Sequence, residues 1–481
     1  MRTLIGHLAR SAAYAAFILG MAVPFAVFSR LALAQSCDTD YEVIFDMYTP
    51  TAPAYSVWDT IYGHQDKQER FVSAVVTDPN HVTVAGERRV SENTEENPQL
   101  ILIQTDERGR VVWEQAHDIA GLQNVAKMLR HGDGYIVAGQ RVKAKNRQTL
   151  WLGFFDSQGL LLESQDIGDQ SHYGPHVHDM IARPDGKGYA LAASAQMKDK
   201  PSAVRFSVLY RLDGKGRIVS EQSYIPGVDN RILGLSLSRD GHYLAAGSIR
   251  GANGIRTGWL LKLTENGEIL WQRAYPRGIE ATFTAAKEYS PSGIIVTGEV
   301  SPADGSTQAG WIALLKAADG EPLWQRYYTG EMNYTAYDVL SNEDGLIAVA
   351  LDARKPEVAE DLQVMPEGKE EETAPTNPLN QYKGQDYIRL LTLNRRGVLL
   401  KSEVFFNGEG LEGVHMSFGE GQTRLMTGSS AMVYQTEDET TGSVVQTRSR
   451  DGWIAAASAM KSYKDPCETR SIPGAQKRNR P

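Results

Sequence analysis

The sequence predicts an all-β protein built from seven units of four antiparallel strands, and three periodic landmarks predict it. Short alternating runs end in a small residue at Gly86, Gly139, Ala193, Gly247, Gly298, Ala350 and Gly428, at successive spacings of 53, 54, 54, 51, 52 and 78 residues. A recurring period of about this size belongs to stacked or circular repeats. A second series of strand-like runs ends at Gly63, Gly121, Gly168, Gly227, Gly278, Gly330 and Gly408. The third is a set of apolar runs: QLILIQTD, TLWLGFFD, FSVLYRLD, TGWLLKLT, AGWIALLK, DYIRLLTL and DGWIAAAS.

Within a unit the elements follow in order. An apolar first strand leads to a turn, marked by Asp133-Gly134, Asp185-Gly186, Asp240-Gly241 and Asp344-Gly345, where glycine takes a positive φ without steric cost. The second strand carries the small residue, and a polar loop and the third strand follow. A turn at Gly109, Gly159, Gly216, Gly267, Gly320 or Gly397 opens the fourth strand, which carries Trp113, Trp271 and Trp324. Alternation at period two is common and helical spacing absent, so the elements are strands. Four short antiparallel strands per unit make the blade of a β-propeller, here seven-bladed.

The opening run carries Trp58 at the place of the fourth-strand tryptophans, although no unit precedes it. Residues 55–62 are therefore expected to pair with 452–458 and complete the last blade, which removes the free edges that invite aggregation. The only two cysteines, Cys37 and Cys467, flank the repeats. If the ends meet they are expected to form a disulfide, worth about 4–5 kcal/mol on a chain-entropy argument.

Residues 1–34 read as a bacterial signal peptide: Arg2 and Arg10, an apolar run from Ala12 to Phe28, and Ala32-Leu33-Ala34 before Gln35. An uncleaved anchor is the alternative. Cys37 preceded by Gln35 and Ser36 makes a poor lipobox. The expected location is periplasmic or secreted, an oxidising setting that suits a disulfide, and no later segment is long and apolar enough to span a bilayer. A net charge of −9 argues against nucleic acid or a polybasic membrane patch. One propeller domain is expected over 38–467, with a disordered acidic insertion in blade 6 over 353–384 and a disordered basic tail over 468–481.

The phrases TGWLLKLTENGEILWQRAY and AGWIALLKAADGEPLWQRYY resemble the long-repeat β-propeller proteins that bacteria export, over about residues 55–460. More distantly, Ala317-Ala318-Asp319-Gly320 with Trp324 is similar to the quinoprotein-type (PQQ-like) repeat, shared with a propeller lipoprotein of outer-membrane barrel assembly. The Thr-Gly of that repeat is missing here and the repeats run longer, so neither a quinone cofactor nor a barrel-assembly role is carried over. The resemblance implies a fold and leaves activity open.

The densest group of ligand-type side chains is His172, His176, His178 and Asp179. Aligned on the turns, His176 matches Asn124, Arg231 and Thr335, and Asp179 matches Lys127 and Asp338. These positions lead into each first strand, the one nearest a propeller axis, and are expected to ring the channel mouth as a ligand or partner site; the bland alternative is solvated loop residues. His176 and His178 are expected on one side and Asp179 on the other, an awkward metal set, so no metal is assigned. Arg231 and Asp338 are expected close enough to pair. No Gly-x-Ser-x-Gly, His-Glu-x-x-His, Walker or calcium nonapeptide signature occurs, and no catalytic residue or cofactor is assigned. The expected function is a monomeric, non-catalytic binding or scaffold module that docks another envelope or extracellular protein. The alternative is a propeller enzyme, a quinoprotein-like dehydrogenase or a hydrolase/lyase, with a polar site at the channel mouth.

Overall fold

The computed structural model of the protein describes residues 40–47, 58–64, 67–89, 97–143, 147–168, 172–197, 204–356, 385–407, 409–419, 423–437 and 444–460. The leader, the cysteine pair and the basic tail expected from the sequence lie outside these residues. The described elements are all strands.

Two strands, β1 (Glu42–Met47) and β2 (Trp58–Tyr62), precede the repeats. The first unit is β3 (Gln68–Asp78), β4 (His81–Arg89), β5 (Gln99–Asp106) and β6 (Val111–His117). The second is β7 (Leu122–His131), β8 (Gly134–Lys143), β9 (Arg147–Phe155) and β10 (Leu161–Ile167). The third is β11 (His172–Ala182), β12 (Gly188–Met197), β13 (Arg205–Asp213) and β14 (Ile218–Tyr224). The fourth is β15 (Asp229–Leu237), β16 (Tyr243–Arg250), β17 (Arg256–Leu263) and β18 (Ile269–Tyr275). The fifth is β19 (Glu280–Ser290), β20 (Gly293–Ser301), β21 (Ala309–Lys316) and β22 (Pro322–Gly330). The sixth is β23 (Asn333–Ser341), β24 (Ile347–Arg354), β25 (Tyr387–Leu393) and β26 (Leu399–Phe405). Then come β27 (Gly410–Phe418), β28 (Arg424–Glu437) and β29 (Val444–Ala457). Each unit is an antiparallel meander, and its first strand touches the first strand of the next.

The core lies between consecutive sheets, as a β-propeller requires. Leu150, Leu152 and Phe154 of the second unit pack on Val177, Leu191 and Ala193 of the third. The third-strand tryptophans Trp151, Trp259, Trp311 and Trp453 are fully buried in such layers. The last sheet packs on the first in the same way, with Leu425, Ile454 and Ala456 against Phe71, Val84 and Ile101. There β2 pairs antiparallel with β29, Trp58 opposite Ala456 and Tyr62 opposite Gly452.

The fourth-strand tryptophans answer the turn glycines of the following unit. Gly109, Gly159, Gly320 and Gly397 have φ of 78°, 74°, 71° and 73°, and a Cβ on them would meet Trp58, Trp113, Trp271 and Trp324 at 2.8, 2.6, 2.9 and 3.1 Å. The ring therefore lies flat on a turn that only glycine fits. A side chain farther along the same strand donates to that glycine's carbonyl: His117 to Gly159 (2.8 Å), Tyr224 to Gly267 (2.6 Å) and Tyr275 to Gly320 (2.6 Å). Tyr62 of β2 donates to Gly109 of the first unit in the same manner.

Each first strand carries a β-bulge at one fixed place, between Phe71 and Ser73, Val125 and Lys127, Val177 and Asp179, Ile232 and Gly234, Phe283 and Ala285, Ala336 and Asp338, and Glu412 and His415. The bulge explains the small second-strand residues. A Cβ on Gly86, Gly139, Gly247, Gly298 or Gly428 would lie 1.8–2.4 Å from a carbonyl oxygen of the bulged strand. In the sixth unit this ladder position belongs to Leu351 and not to Ala350, because Ala336 pairs with Leu351 and Asp338 with Ala350. The alternating pattern alone gave no means to choose between the two.

Two further features depart from expectation. Ala353 and Arg354 belong to β24, so the sixth unit's acidic segment begins after its strand pairing ends, with residues 357–384 outside those described. The strand β1 adds to the completed fifth sheet, parallel to β22 and in register from Glu42 opposite Gln325 to Met47 opposite Gly330. Val43, Phe45 and Met47 bury their alternate face, and Phe45 stacks on Tyr328 at 5.1 Å.

Candidate functional site

The bulged stretches of the first strands gather two tiers of polar side chains. The residue after each bulge forms one tier: Ser73, Lys127, Asp179, Asp338 and His415, with Gly234 and Ala285 at the other two places. Lys127 meets Asp179 at 3.0 Å. Asp179 also accepts from the backbone N–H of Met180 (2.9 Å) and of Leu235 in the next unit (2.8 Å). Asp338 accepts from Val339 (2.8 Å) and from Met416 of the next unit (2.9 Å). Ser73 donates to Met128 O, and beside the tier Ser236 donates to Ala286 O and Thr284 to Ala336 O, so these bonds tie successive first strands from the first unit to the seventh sheet.

Its electrostatics cross the molecule. Burial pulls the Lys127 ammonium down, but the carboxylates of Asp179 and Asp338 outweigh it and hold the group above its ordinary value. Burial, with Lys127 nearby, pushes His415 down to about 4 against the pull of Asp338 and Asp179. The ring of Tyr337, the bulge residue of the sixth unit, meets His415 edge-on at 5.4 Å.

The second tier lies three residues earlier in each first strand, toward the loops that join second to third strands. It holds Arg70, Asn124, His176, Arg231, Thr282, Thr335 and Glu412, paired across the ladder with Glu87, Gln140, Ser194, Ser248, Glu299, Asp352 and Ser429. The matching of His176 with Asn124, Arg231 and Thr335, and of Asp179 with Lys127 and Asp338, is therefore the observed register. The rings of His176 and His178 meet at 4.8 Å, and Asp179, the residue after the bulge, reaches Lys127 and Leu235 on the units to either side. His178 bonds the Ser194 hydroxyl at 2.9 Å. Burial first, then His176, Arg231 and Arg205, push His178 down to about 3; burial, Arg205 and Arg231 lower His176 as well. Both imidazoles are neutral at pH 7.

Arg231 does not pair with Asp338. Its fork grips Asp229 two residues before it (3.1 and 3.0 Å), which the short strand entry allows, while both Asp338 oxygens face backbone amides. Asp229 is shared by Arg256 at 2.8 Å and approached by Arg205 at 3.9 Å. Thr335 donates to Glu299 (2.7 Å) and accepts from Gln308 (2.8 Å); burial raises Glu299 all the same. Arg354 grips Asp352 (2.8 Å) and Glu412, and Arg450 also reaches Glu412. The Asn124 carboxamide oxygen is buried without a hydrogen-bond partner among the described residues.

The sequence reading missed Asp229, Arg205, Arg256, Glu299, Glu412 and His415. Three of these, Arg205, Arg256 and Glu299, fall outside the first strands, and Glu412 and His415 precede a second strand with no Asp-Gly turn to align them on. Among the described residues no group of three or more His, Cys, Asp or Glu is placed to hold a metal ion.

No family model matches the chain, and no curated protein matches it. Among solved structures it is similar to a puromycin hydrolase mutant complexed with PGG (14% identity, TM-score 0.45), over 85% of this chain and 56% of that protein. It is also similar to the β-propeller domain of the Trilobed protease from Pyrococcus furiosus, described as having an open velcro topology (8%, TM-score 0.41, 86% and 98%). A third is the endo-arabinase from Bacteroides thetaiotaomicron (8%, TM-score 0.32, 86% and 99%). The activities of these proteins are theirs, and no residue role is carried across.

Proposed function

We propose that the chain is a seven-bladed β-propeller, closed by β2, that serves as an exported binding module and docks another envelope or extracellular protein through the second tier. Closure is supported by Trp58 and Tyr62, which meet Gly109 as Trp113 and His117 meet Gly159. A binding role rests on one observation. The strongest acids and bases of the first tier are engaged in holding blade to blade, whereas the second tier leaves Arg231 41% exposed beside two neutral imidazoles. A general acid or base must reach a reacting group, and Lys127, Asp179 and Asp338 are committed to other partners. A rim of oriented polar groups on a rigid ring suits recognition instead. The expected setting is the periplasm or outside the cell, with the leader removed and Cys37 joined to Cys467.

Crosslinking and mass spectrometry in the native host should recover a reproducible partner with the natural protein and lose it with His176→Ala/Arg231→Ala, at unchanged melting temperature. Capture that persists in the double variant places the site elsewhere. Bound metal or a quinone absorbance in protein purified from that host would favour the enzyme alternative.

A further inference from the structure

The second tier is unevenly neutralised. In the first unit Arg70, Arg88 and Arg89 share Glu69, Glu87 and Glu114, and between the sixth and seventh sheets Arg354 and Arg450 share Asp352 and Glu412. Both clusters balance. Between the third and fourth units Arg205, Arg231 and Arg256 converge, among the described residues, on Asp229 alone. The nearby Arg250 has its own partner in Glu280, which leaves a surplus of two positive charges among the described residues.

The repeat shows what is absent. The ladder partner of this tier is a carboxylate in the first, fifth and sixth units, namely Glu87, Glu299 and Asp352, and Arg70 lies 3.6 Å from its own. In the other four units that position is Gln140, Ser194, Ser248 and Ser429, and only in the fourth does it face an arginine of this tier. Arg231 thus faces a hydroxyl where Arg70 faces an acid. Arg256 is anchored by Asp229 and by Ser248 at 3.0 Å with only 9% of its side chain exposed, while Arg205 and Arg231 are 29% and 41% exposed. His176, beside them, makes no hydrogen bond among the described residues and is 4.8 Å from His178.

We propose that Arg205, Arg231 and His176, braced by Arg256 and Asp229, form a site for a carboxylate group that takes the place of the missing ladder acid. The proposal deepens the binding reading above and rests on it. The guanidinium fork donates bidentately to a carboxylate, and the carboxylate belongs either to an acidic side chain of the docked partner or to a free small molecule.

The test uses the full processed protein and a fluorescein-labelled hexaglutamate peptide, with binding read by fluorescence anisotropy at two salt concentrations. Citrate and inorganic phosphate serve as competitors. Saturable binding is expected to weaken at least about tenfold in Arg231→Gln and Arg205→Gln, the scale of losing a charged hydrogen bond. Arg217→Gln, on an exposed turn beside Asp213, should change nothing. Ser248→Glu supplies the acid internally and should abolish binding while the melting temperature holds. Displacement by citrate at concentrations where phosphate is inert assigns a free carboxylate; displacement by unlabelled peptide alone assigns an acidic segment. Equal affinity in Arg205→Gln, Arg231→Gln and wild type, or no binding of any probe, overturns the proposal. Loss of native capture in the rim variants with unaltered hexaglutamate binding sinks the carboxylate site and leaves the docking face standing.

Discussion

The two strands that precede the repeats end up on different sheets and do different work. The strand β2 joins β29 antiparallel and gives the last sheet its fourth strand, with Trp58 and Tyr62 clasping the first unit's turn. In contrast β1 lies parallel on β22, a sheet that already has four strands. The outer strands β6, β14 and β18 keep Val112, Val219 and Leu270 about half exposed, whereas β22 is buried through Gln325–Tyr328. One strand completes a unit and the other covers an edge. A completing strand is part of the cooperative fold; a covering strand adds stability to a sheet that stands without it.

The largest effect that separates the two is removal of β2. A chain that begins at His64 lacks both strands and one that begins after Met47 lacks only β1, so the difference between them isolates β2, whose loss leaves the β29 edge open and strips cover from the cluster of Phe71, Val84, Leu425 and Ile454. The purified chain that begins at His64 should lack a cooperative thermal transition and bind ANS. The milder Trp58→Ala, at a half-buried position, should cost about 2–3 kcal/mol by chemical denaturation. A chain without β2 that melts cooperatively near the wild-type temperature would mean that the last sheet stands on three strands and that closure is dispensable.

That contrast also explains what could be read in advance. The strand β2 was legible because Trp58 stands in phase with Trp113, Trp271 and Trp324, and a repeat makes one position testify for the others. The strand β1 alternates as cleanly, with Val43, Phe45 and Met47 on its buried face, but no repeat partner says which edge receives it. The same limit governed the site. The match of His176 to Arg231 and Thr335 followed from turn spacing. The pairing of Arg231 with Asp229, and the bulge that places Leu351 where Ala350 was expected, depend on a local backbone excursion that leaves residue types unchanged.

Removal of β1 is the intermediate test. Burial of Val43, Phe45 and Met47 and the parallel ladder to β22 stabilise, and the entropy of ordering six residues offsets most of that gain, so the net is small. The segment is also held by Arg326, a fully buried side chain that donates to Asp40 O (2.9 Å) and to Arg396 O and Gly397 O of the sixth unit (3.1 and 3.2 Å). A processed chain that begins after Met47 should therefore stay folded and cooperative, with a midpoint lowered by a few degrees. Arg326→Ala should cost more than this deletion, because it also strands the sixth unit's carbonyls. Equal costs would confine the role of Arg326 to the covering strand.

The smallest expected effect is the pH dependence that His415 brings to the last sheet, alongside the one that His178 and His176 bring to the third unit. His415 lies on β27, while neither β1 nor the fifth unit contains a histidine. In the unfolded chain this imidazole gains its proton near its ordinary value of 6.5; in the folded protein burial and Lys127 delay that to about 4. Between these values the unfolded state binds more protons, so stability is complete above about 6.5 and is lost as pH falls toward 4. For this one group the loss between pH 7 and pH 5.5 is about 1 kcal/mol. Hydrogen exchange at matched intrinsic rates should show β27–β29 and β2 opening more readily at pH 5.5 than at pH 7, with β1 and β22 unchanged, and His415→Asn should flatten the difference. Equal acceleration in both sheets would show that acid loosens the molecule as a whole, and that the last sheet has no titration of its own.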